Sequence, residues 1–178
     1  MNTKLKMVIV GLATLAIIGC SQKKVPGNET PAADSNASNS GKSLDLVTLP
    51  TFTMSDSKGN VISLESLKGR KVFVNLWASW CPPCRREMPS IQRLYKSLDT
   101  TKVAFVLLSL DDNFEKSRRF ASSAKLTLPL FYPAESLPPL FNVEGIPSTF
   151  IFNEEGSLIK QVNGSDDYDT EAYRLLLK

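Results

Sequence analysis

Histidine is absent from this chain of 178 residues. Its absence excludes a Cys-x-x-Cys-His haem attachment site, a cysteine protease that relies on histidine, and every zinc or copper site that needs an imidazole ligand. The chain also lacks a strong charge excess, because 21 basic and 18 acidic residues leave a formal net charge of +3. Basic residues form no cluster longer than a pair such as Arg85 and Arg86 and are scattered among acids, so the sequence predicts no nucleic-acid partner.

Cysteine is scarce, with three residues in the chain, and the first of them ends a stretch with the pattern of a targeting segment. Two lysines precede an apolar run over residues 7–18, which is shorter than the roughly 20 residues of a membrane span. The end of the run resembles the bacterial lipobox, in which a cysteine receives a lipid and becomes the mature amino terminus. The resemblance implies a lipoprotein signal peptide over residues 1–19 and a lipid anchor at Cys20. The alternative is a plain secretory signal, or an uncleaved anchor with an incidental cysteine.

Residues 20–45 are predicted to form a disordered linker behind this anchor. They are rich in Ser, Asn, Ala, Lys, Gly and Pro and contain almost no large apolar side chain. From residue 46 the composition becomes that of a globular core, so we expect one folded domain over residues 46–178. We therefore expect an extracytoplasmic domain, held to a bacterial membrane by lipidated Cys20 and exposed to an oxidising compartment.

The domain alternates predicted strands and helices. A short hairpin is expected around residues 56–60, and Asp111, Asp112 and Asn113 are predicted to cap a helix. Predicted strands lie at 72–77, 103–110, 128–131, 145–152 and 158–162, and predicted helices at 81–98, 114–124 and 168–178. The order strand, helix, strand, helix in the first half favours an α/β fold with a parallel crossover unit.

The two remaining cysteines form the run Trp80-Cys81-Pro82-Pro83-Cys84 at the junction of a predicted strand and helix. Two intervening residues in a first helical turn bring the sulfurs within bonding distance, and the amino end of a helix favours negative charge on the first sulfur. The pattern predicts a redox-active dithiol in which Cys81 attacks and Cys84 resolves. A structural disulfide or half of a four-thiolate metal site is the alternative, but so short a loop stabilises little.

Three stretches carry a family resemblance: FVNLWASWCPPCRREMP at 73–89, VEGIPSTF at 143–150 and NEEG at 153–156. In this order they resemble the thioredoxin superfamily, specifically its TlpA/ResA-like branch of membrane-tethered thiol:disulfide oxidoreductases. The resemblance implies a thioredoxin-like fold, with a central mixed β-sheet flanked by helices, to which the amino-terminal hairpin is added, and no cofactor. It also implies a cis bond before Pro147 and an Ile146 backbone that contacts an extended substrate segment.

One position departs from ordinary thioredoxins, which carry a buried aspartate six residues before the first active cysteine. This chain has Asn75 there, and an amide does not titrate. TlpA/ResA-like proteins place an acid three residues after the second cysteine, so the resemblance makes Glu87 the candidate proton acceptor for Cys84. Half-buried near the thiols, Glu87 would have a raised pKa. The alternative is an exposed glutamate paired with a neighbouring arginine.

The leading hypothesis is a lipid-anchored reductant that keeps the thiols of exported client proteins reduced. It requires protein thiol/disulfide clients and an electron donor in the membrane; apocytochrome c, in cytochrome c maturation, is one client that the family implies. A peroxiredoxin-like peroxidase is the first alternative, although the stretch Leu76–Cys81 lacks the threonine of the usual Pro-x-x-x-Thr-x-x-Cys pattern. A non-catalytic carrier that binds copper through two thiolates is the second, and the missing histidine argues against it.

Overall fold

A computed structural model of the protein describes residues 47–178. The predicted signal peptide over residues 1–19, the linker over residues 20–45 and the lipid anchor at Cys20 lie outside the described residues and stay predictions. Within residues 47–178, no helix combines the length and the apolar character that crossing a bilayer requires.

The described residues form seven strands, three α-helices and two 3-10 turns. The strands are β1 Thr53–Asp56, β2 Val61–Ser63, β3 Lys71–Trp77, β4 Val103–Ser109, β5 Leu130–Pro133, β6 Ser148–Phe152 and β7 Leu158–Asn163. The helices are α1 Pro82–Ser97, α2 Phe114–Ser123 and α3 Glu171–Leu177, and the 3-10 turns are Leu64–Leu67 and Pro139–Phe141. Most bounds fall within a few residues of the predicted ones.

All seven strands belong to one mixed sheet, in the order β2-β1-β5-β4-β3-β6-β7. Strand β3 pairs parallel with β4, and β4 pairs parallel with β5. The pairs β3–β6, β6–β7, β1–β2 and β1–β5 are antiparallel. The central mixed sheet that the sequence predicts is therefore confirmed, with β3 and β4 as its buried middle.

Strands β1 and β2 are joined by a tight turn whose side chains explain its shape. The carboxylate of Asp56 accepts hydrogen bonds from the backbone N–H groups of Lys58 and Asn60, at 2.8 and 2.9 Å. Gly59 has a φ of +87°, a left-handed conformation that glycine adopts without the steric cost of a side chain. The turn thus follows from local sequence alone.

Alternation along β3 sends its side chains into two hydrophobic cores on opposite faces of the sheet. Phe73 and Trp77 belong to the core that contains the buried faces of α1 and α3, whereas Val72 and Val74 belong to the other core. Asn75 lies between Phe73 and Trp77, two residues from each, so it shares their face of the sheet. Its amide is therefore placed on the side of the sheet that α1 covers, and the candidate site is built there.

Candidate active site

Cys81 and Cys84 are joined by a disulfide bond where β3 passes into α1, with their Cα atoms 5.3 Å apart. Both residues belong to the core that α1 covers, and they expose only 3% and 0% of their surface. The pairing agrees with the predicted dithiol. Cys81 is predicted to be the more exposed of the two cysteines, and the difference in exposure is small because the disulfide form packs against the core.

The two prolines determine which amide reaches the first sulfur. Pro82 and Pro83 occupy the first helical positions, where a backbone N–H has no partner within the helix and its loss costs little. The first N–H group that α1 can donate is therefore that of Cys84, and it points to Sγ of Cys81 at 3.3 Å. Positive charge at the helix end is thus directed at the sulfur on which a thiolate would form.

The loop before β6 approaches the same sulfur. The Ile146–Pro147 peptide bond is cis, as the family resemblance implies. The carbonyl oxygen of Ile146 lies 3.7 Å from Sγ of Cys81. A groove of about 450 Å³ runs along this loop, and its walls include Val143 and, from β7, Gln161. The structure therefore brings Ile146 and Pro147 to the disulfide.

Glu87 lies one helical turn after Cys84, on the buried face of α1. It exposes only 3% of its surface, so it is more deeply buried than the half-buried position predicted for it. Its Oε1 accepts a hydrogen bond from Nδ2 of Asn75 at 2.9 Å, and its Oε2 accepts one from the N–H of Asp166 at 3.3 Å. The alternative of an exposed glutamate paired with an arginine is wrong.

Burial raises the pKa of Glu87 to about 7, because the charged carboxylate loses hydration. The hydrogen bonds from Asn75 and from the backbone of Asp166 oppose this shift, and the negative charge of Asp166 adds to it. A carboxyl group with a pKa near neutrality can take up and release a proton under ordinary conditions. A cleft of about 240 Å³ lined by Glu87 and Asp166 offers that proton a path to the surface.

A chain of hydrogen bonds continues from Glu87 through Asn75. Nδ2 of Asn75 also donates to Oγ1 of Thr149 at 2.9 Å, and Thr149 shares a 2.7 Å hydrogen bond with the hydroxyl of Tyr168. Burial and the carboxylate of Glu87 raise the pKa of Tyr168 above its ordinary value, so this phenol stays protonated. Asn75 Oδ1, in contrast, is buried and has no hydrogen-bond partner among residues 47–178. Sequence reasoning missed Thr149 and Tyr168, although Thr149 stands two positions after Pro147 in the quoted motif.

Asp111 has a different role from the helix cap predicted for it. Asn113 is the N-cap of α2, and its Oδ1 accepts the N–H of Glu115 at 2.8 Å. Asp111 is 3% exposed and its carboxylate accepts hydrogen bonds from the N–H and the hydroxyl of Ser79, two residues before Cys81. The hydroxyl groups of Ser109 and Ser117 donate to it as well. Asp111 thus connects the loop before the disulfide to β4 and α2.

We expect Asp111→Ala to lower the free energy of unfolding of the oxidised protein by at least about 2 kcal/mol. The substitution removes the acceptor shared by half-buried Ser79 and by the buried hydroxyl groups of Ser109 and Ser117, and each group left unsatisfied costs about 1–3 kcal/mol. Urea unfolding measures the change. Asp112→Ala is the control, because the side chain of Asp112 is 74% exposed and an exposed ion pair contributes at most about 1 kcal/mol. Equal losses in both variants would contradict the role given to Asp111.

Comparison with known proteins shows which family the chain belongs to. Residues 47–161 match the model of the AhpC/TSA family, and this match spans more than half of the chain. The chain belongs to the AhpC/TSA family. It is 37% identical over 109 residues to the thioredoxin-like protein YneN and 31% identical over 117 residues to the thiol-disulfide oxidoreductase ResA, both of Bacillus subtilis.

These alignments cover 60% and 65% of this chain, and 64% and 65% of the two relatives. The chain thus spans slightly less than two thirds of the curated relatives it matches. Among solved structures, it is similar to a thiol:disulfide interchange protein of the thioredoxin family from Chlorobium tepidum, with a TM-score of 0.64 and 25% identity. That match covers 75% of this chain and 97% of the other. The thioredoxin-like fold predicted for this AhpC/TSA-family chain is confirmed.

The described part of the chain offers sulfur chemistry rather than an assembled metal site. Residues 47–178 contain no group of three or more His, Cys, Asp or Glu side chains placed to hold a metal ion. Instead, the disulfide, the cis-proline loop and a carboxyl group with a raised pKa meet at the beginning of α1. Such a combination can exchange two electrons and handle the accompanying protons.

Proposed function

We propose that the protein is a thiol:disulfide oxidoreductase that reduces disulfide bonds of client proteins through Cys81 and Cys84. The observation that carries the proposal is the Cys81–Cys84 disulfide at the amino end of α1, beside the cis-proline loop. The names of two relatives, ResA and the interchange protein from Chlorobium tepidum, point to the same chemistry.

The exchange proceeds in two balanced steps. The thiolate of reduced Cys81 attacks a client disulfide, forms a mixed disulfide with one client sulfur and releases the other as a thiolate. Cys84 then attacks Sγ of Cys81, so the second client thiolate leaves and the Cys81–Cys84 bond forms. Two electrons have passed to the client. The proton that Cys84 loses goes to Glu87, and the client thiolates take up protons from the surrounding water.

Cys81 is the attacking residue in this proposal because its thiolate would be the better stabilised and more accessible of the two. An ordinary thiol with a pKa near 8.5 is only about 3% ionised at pH 7. The N–H of Cys84 points to Sγ of Cys81, whereas Cys84 itself is fully buried. Trp80, which is 64% exposed beside Cys81, offers an apolar contact for the incoming client.

The client segment is proposed to lie extended along Ile146. Extended peptides bind by pairing their backbone with an accessible strand or loop, and Ile146 presents its backbone next to the reactive sulfur. The groove of about 450 Å³ along the same loop can receive client side chains. Pro147 fixes the direction of the chain there, which makes it part of the proposed site.

We also propose that the protein acts outside the cytoplasm and is attached to a bacterial membrane through lipidated Cys20, where a membrane protein reduces it again. The lipobox-like end of the apolar run at Cys20 supports this. The resemblance to TlpA/ResA-like proteins supports clients in cytochrome c maturation. Incorporation of a radiolabelled fatty acid in cells tests the anchor, and Cys20→Ser must abolish the label.

A redox titration tests the direction of electron flow. The chain contains two tryptophans, Trp77 and Trp80, and both lie close to the disulfide in sequence, so intrinsic fluorescence can report the state of the cysteine pair. A reduction potential well below about −200 mV is expected for a reductant, whereas a value near −120 mV would indicate an oxidant.

Reduction of insulin disulfides is expected to exceed peroxide turnover. Faster turnover of hydrogen peroxide would overturn the proposal in favour of a peroxidase.

A further inference from the structure

Two arginines occupy an electrostatically unfavourable place at the beginning of α1. Arg85 and Arg86 follow Cys84 directly, and both are exposed. The amino end of a helix carries a partial positive charge, so cations there are disfavoured. Among the residues that the structure describes, neither arginine forms an ion pair with an acidic side chain. Both positive charges are therefore exposed to solvent and available to an anionic partner.

Arg85 is also oriented by a neighbouring helix. Its guanidinium carbon lies 5.1 Å from the centre of the Phe120 ring of α2, which is within cation–π distance. Around this pair lies a shallow groove of about 370 Å³, lined by Pro82, Arg85, Arg86, Phe120 and Ala124. We name it the arginine groove. It begins at the residue after Cys81 and shares no lining residue with the groove along Ile146.

We propose that the arginine groove binds an acidic side chain of the client protein, close to the disulfide that Cys81 attacks. The proposal rests on the proposed function and specifies its substrate class: disulfide-containing proteins with aspartate or glutamate a few residues from the attacked cysteine. A planar guanidinium can hold a carboxylate through two parallel hydrogen bonds. Phe120 and Ala124 provide apolar surface for the methylene groups of that side chain.

The same arginines could instead act on the thiolate of Cys81, and the two roles differ in what they select. A cation near a thiolate lowers the thiol pKa and accelerates exchange with every client. A binding groove accelerates exchange only with clients that carry the matching charge. Dependence of the rate on client charge therefore separates the two roles.

The experiment measures the second-order rate constants with which the reduced full-length protein reduces three disulfide peptides. The peptides are identical except for Glu, Gln or Lys three residues after the attacked cysteine. We expect the Glu peptide to react about two- to fivefold faster than the Gln peptide, as an exposed ion pair allows, and the Lys peptide to react slowest. Raising the salt concentration to 1 M is expected to abolish the differences.

Variants locate the effect. Arg85→Ala is expected to remove most of the preference for Glu, and Arg85→Lys to remove part of it because lysine lacks the planar fork. Lys96→Ala is the matched control: Lys96 is exposed at the other end of α1, roughly 16 Å along the helix axis from Arg85. It removes the same charge and is expected to keep the preference.

Two results would overturn the inference: equal rates for the three peptides with the unmodified protein, or an equal slowing of all three by Arg85→Ala. Reduction of hydroxyethyl disulfide, which carries no charge, distinguishes these two results from a failure of the proposed function. If the protein reduces it while the peptides show no charge preference, the oxidoreductase proposal stands and the arginine groove does not bind clients. If it reduces neither this compound nor any peptide, both proposals are wrong.

Discussion

Cys84→Ser is expected to convert the reduced protein into a trap for its clients. Cys81 can still attack a client disulfide, but no second sulfur is available to release the client, so a mixed disulfide accumulates. Serine retains the backbone N–H that donates to Sγ of Cys81, so the attacking thiolate keeps its stabilisation. Cys81→Ser is expected to trap nothing, because the remaining sulfur of Cys84 is fully buried. Turnover is expected to be abolished in both variants, since a two-electron exchange needs both sulfurs.

Non-reducing electrophoresis with mass spectrometry of the trapped species measures this outcome. Every variant is made with Cys20→Ser as well, so that the thiol of an unlipidated Cys20 cannot form a mixed disulfide of its own. The double variant of Cys81 and Cys84 gives the background. Trapping by Cys81→Ser but not by Cys84→Ser would reverse the assignment of attacker and resolver, and trapping by neither would remove the exchange mechanism.

The parts of this site that the sequence predicts are those determined by local spacing. Cys81 and Cys84 are three residues apart at a helix start, and the two prolines between them favour that start. Glu87 follows by one further turn of the same helix, so its presence on the face of Cys84 needs only the helical period. The loop at Ile146 is distant in sequence, and only the family motif connects it with the cysteines.

The parts that the sequence does not predict depend on contacts across the fold. An aspartate just before a helix usually caps it, and this local rule gave Asp111 the wrong role. Its partner Ser79 lies 32 residues away and reaches it only because β3 and β4 are adjacent. Long-range contacts also determine the start of α3, which the sequence predicts at residue 168. Tyr168 is instead buried by its contacts with Thr149 and Phe73, and the helix begins at Glu171.

The amide of Asn75 can form a hydrogen bond with Glu87 in both protonation states of that carboxyl group. When Glu87 is ionised, the NH₂ group of Asn75 donates to it and to Thr149, and Asn75 Oδ1 is left without a partner in the described part of the chain. When Glu87 is protonated, a half-turn of the amide presents Oδ1, which can accept from the new carboxyl O–H and from the hydroxyl of Thr149. An aspartate at this position would instead place a second negative charge beside Glu87.

Glu87→Gln is therefore expected to separate activity from stability. Removing the proton acceptor of Cys84 is expected to slow exchange at pH 7 by about 10²-fold, the lower end of the range for general acid–base catalysis. The rise in rate through the pKa of Glu87, about 7, is expected to disappear. Activity is expected to recover at alkaline pH, where hydroxide can take the proton of Cys84 in place of Glu87. Stopped-flow reduction of a neutral disulfide over pH 5–10 measures the profile.

The stability of the same variant follows from the raised pKa of Glu87. The folded protein holds this proton up to about pH 7, whereas an unfolded chain loses it near the ordinary value of 4.5. The contribution of Glu87 to stability is therefore fully present below about pH 4.5 and is lost as the pH rises to about 7, a change of about 3 kcal/mol. The side chain that Glu87→Gln introduces has no proton to lose, and its amide can donate to Oδ1 of Asn75.

Urea unfolding of oxidised Glu87→Gln is thus expected to show little difference from the unmodified protein near pH 4.5 and a gain in the free energy of unfolding at pH 8. Glu155→Gln, a change at an exposed position, is the control and is expected to leave the pH dependence of stability unchanged. If Glu87→Gln and the unmodified protein lose stability in parallel between pH 4.5 and 8, Glu87 does not titrate in this range. If Glu87→Gln gains stability at pH 8 but keeps full activity at pH 7, the buried carboxyl group of Glu87 lowers the stability of the fold without serving the reaction. The proton of Cys84 then leaves by another route.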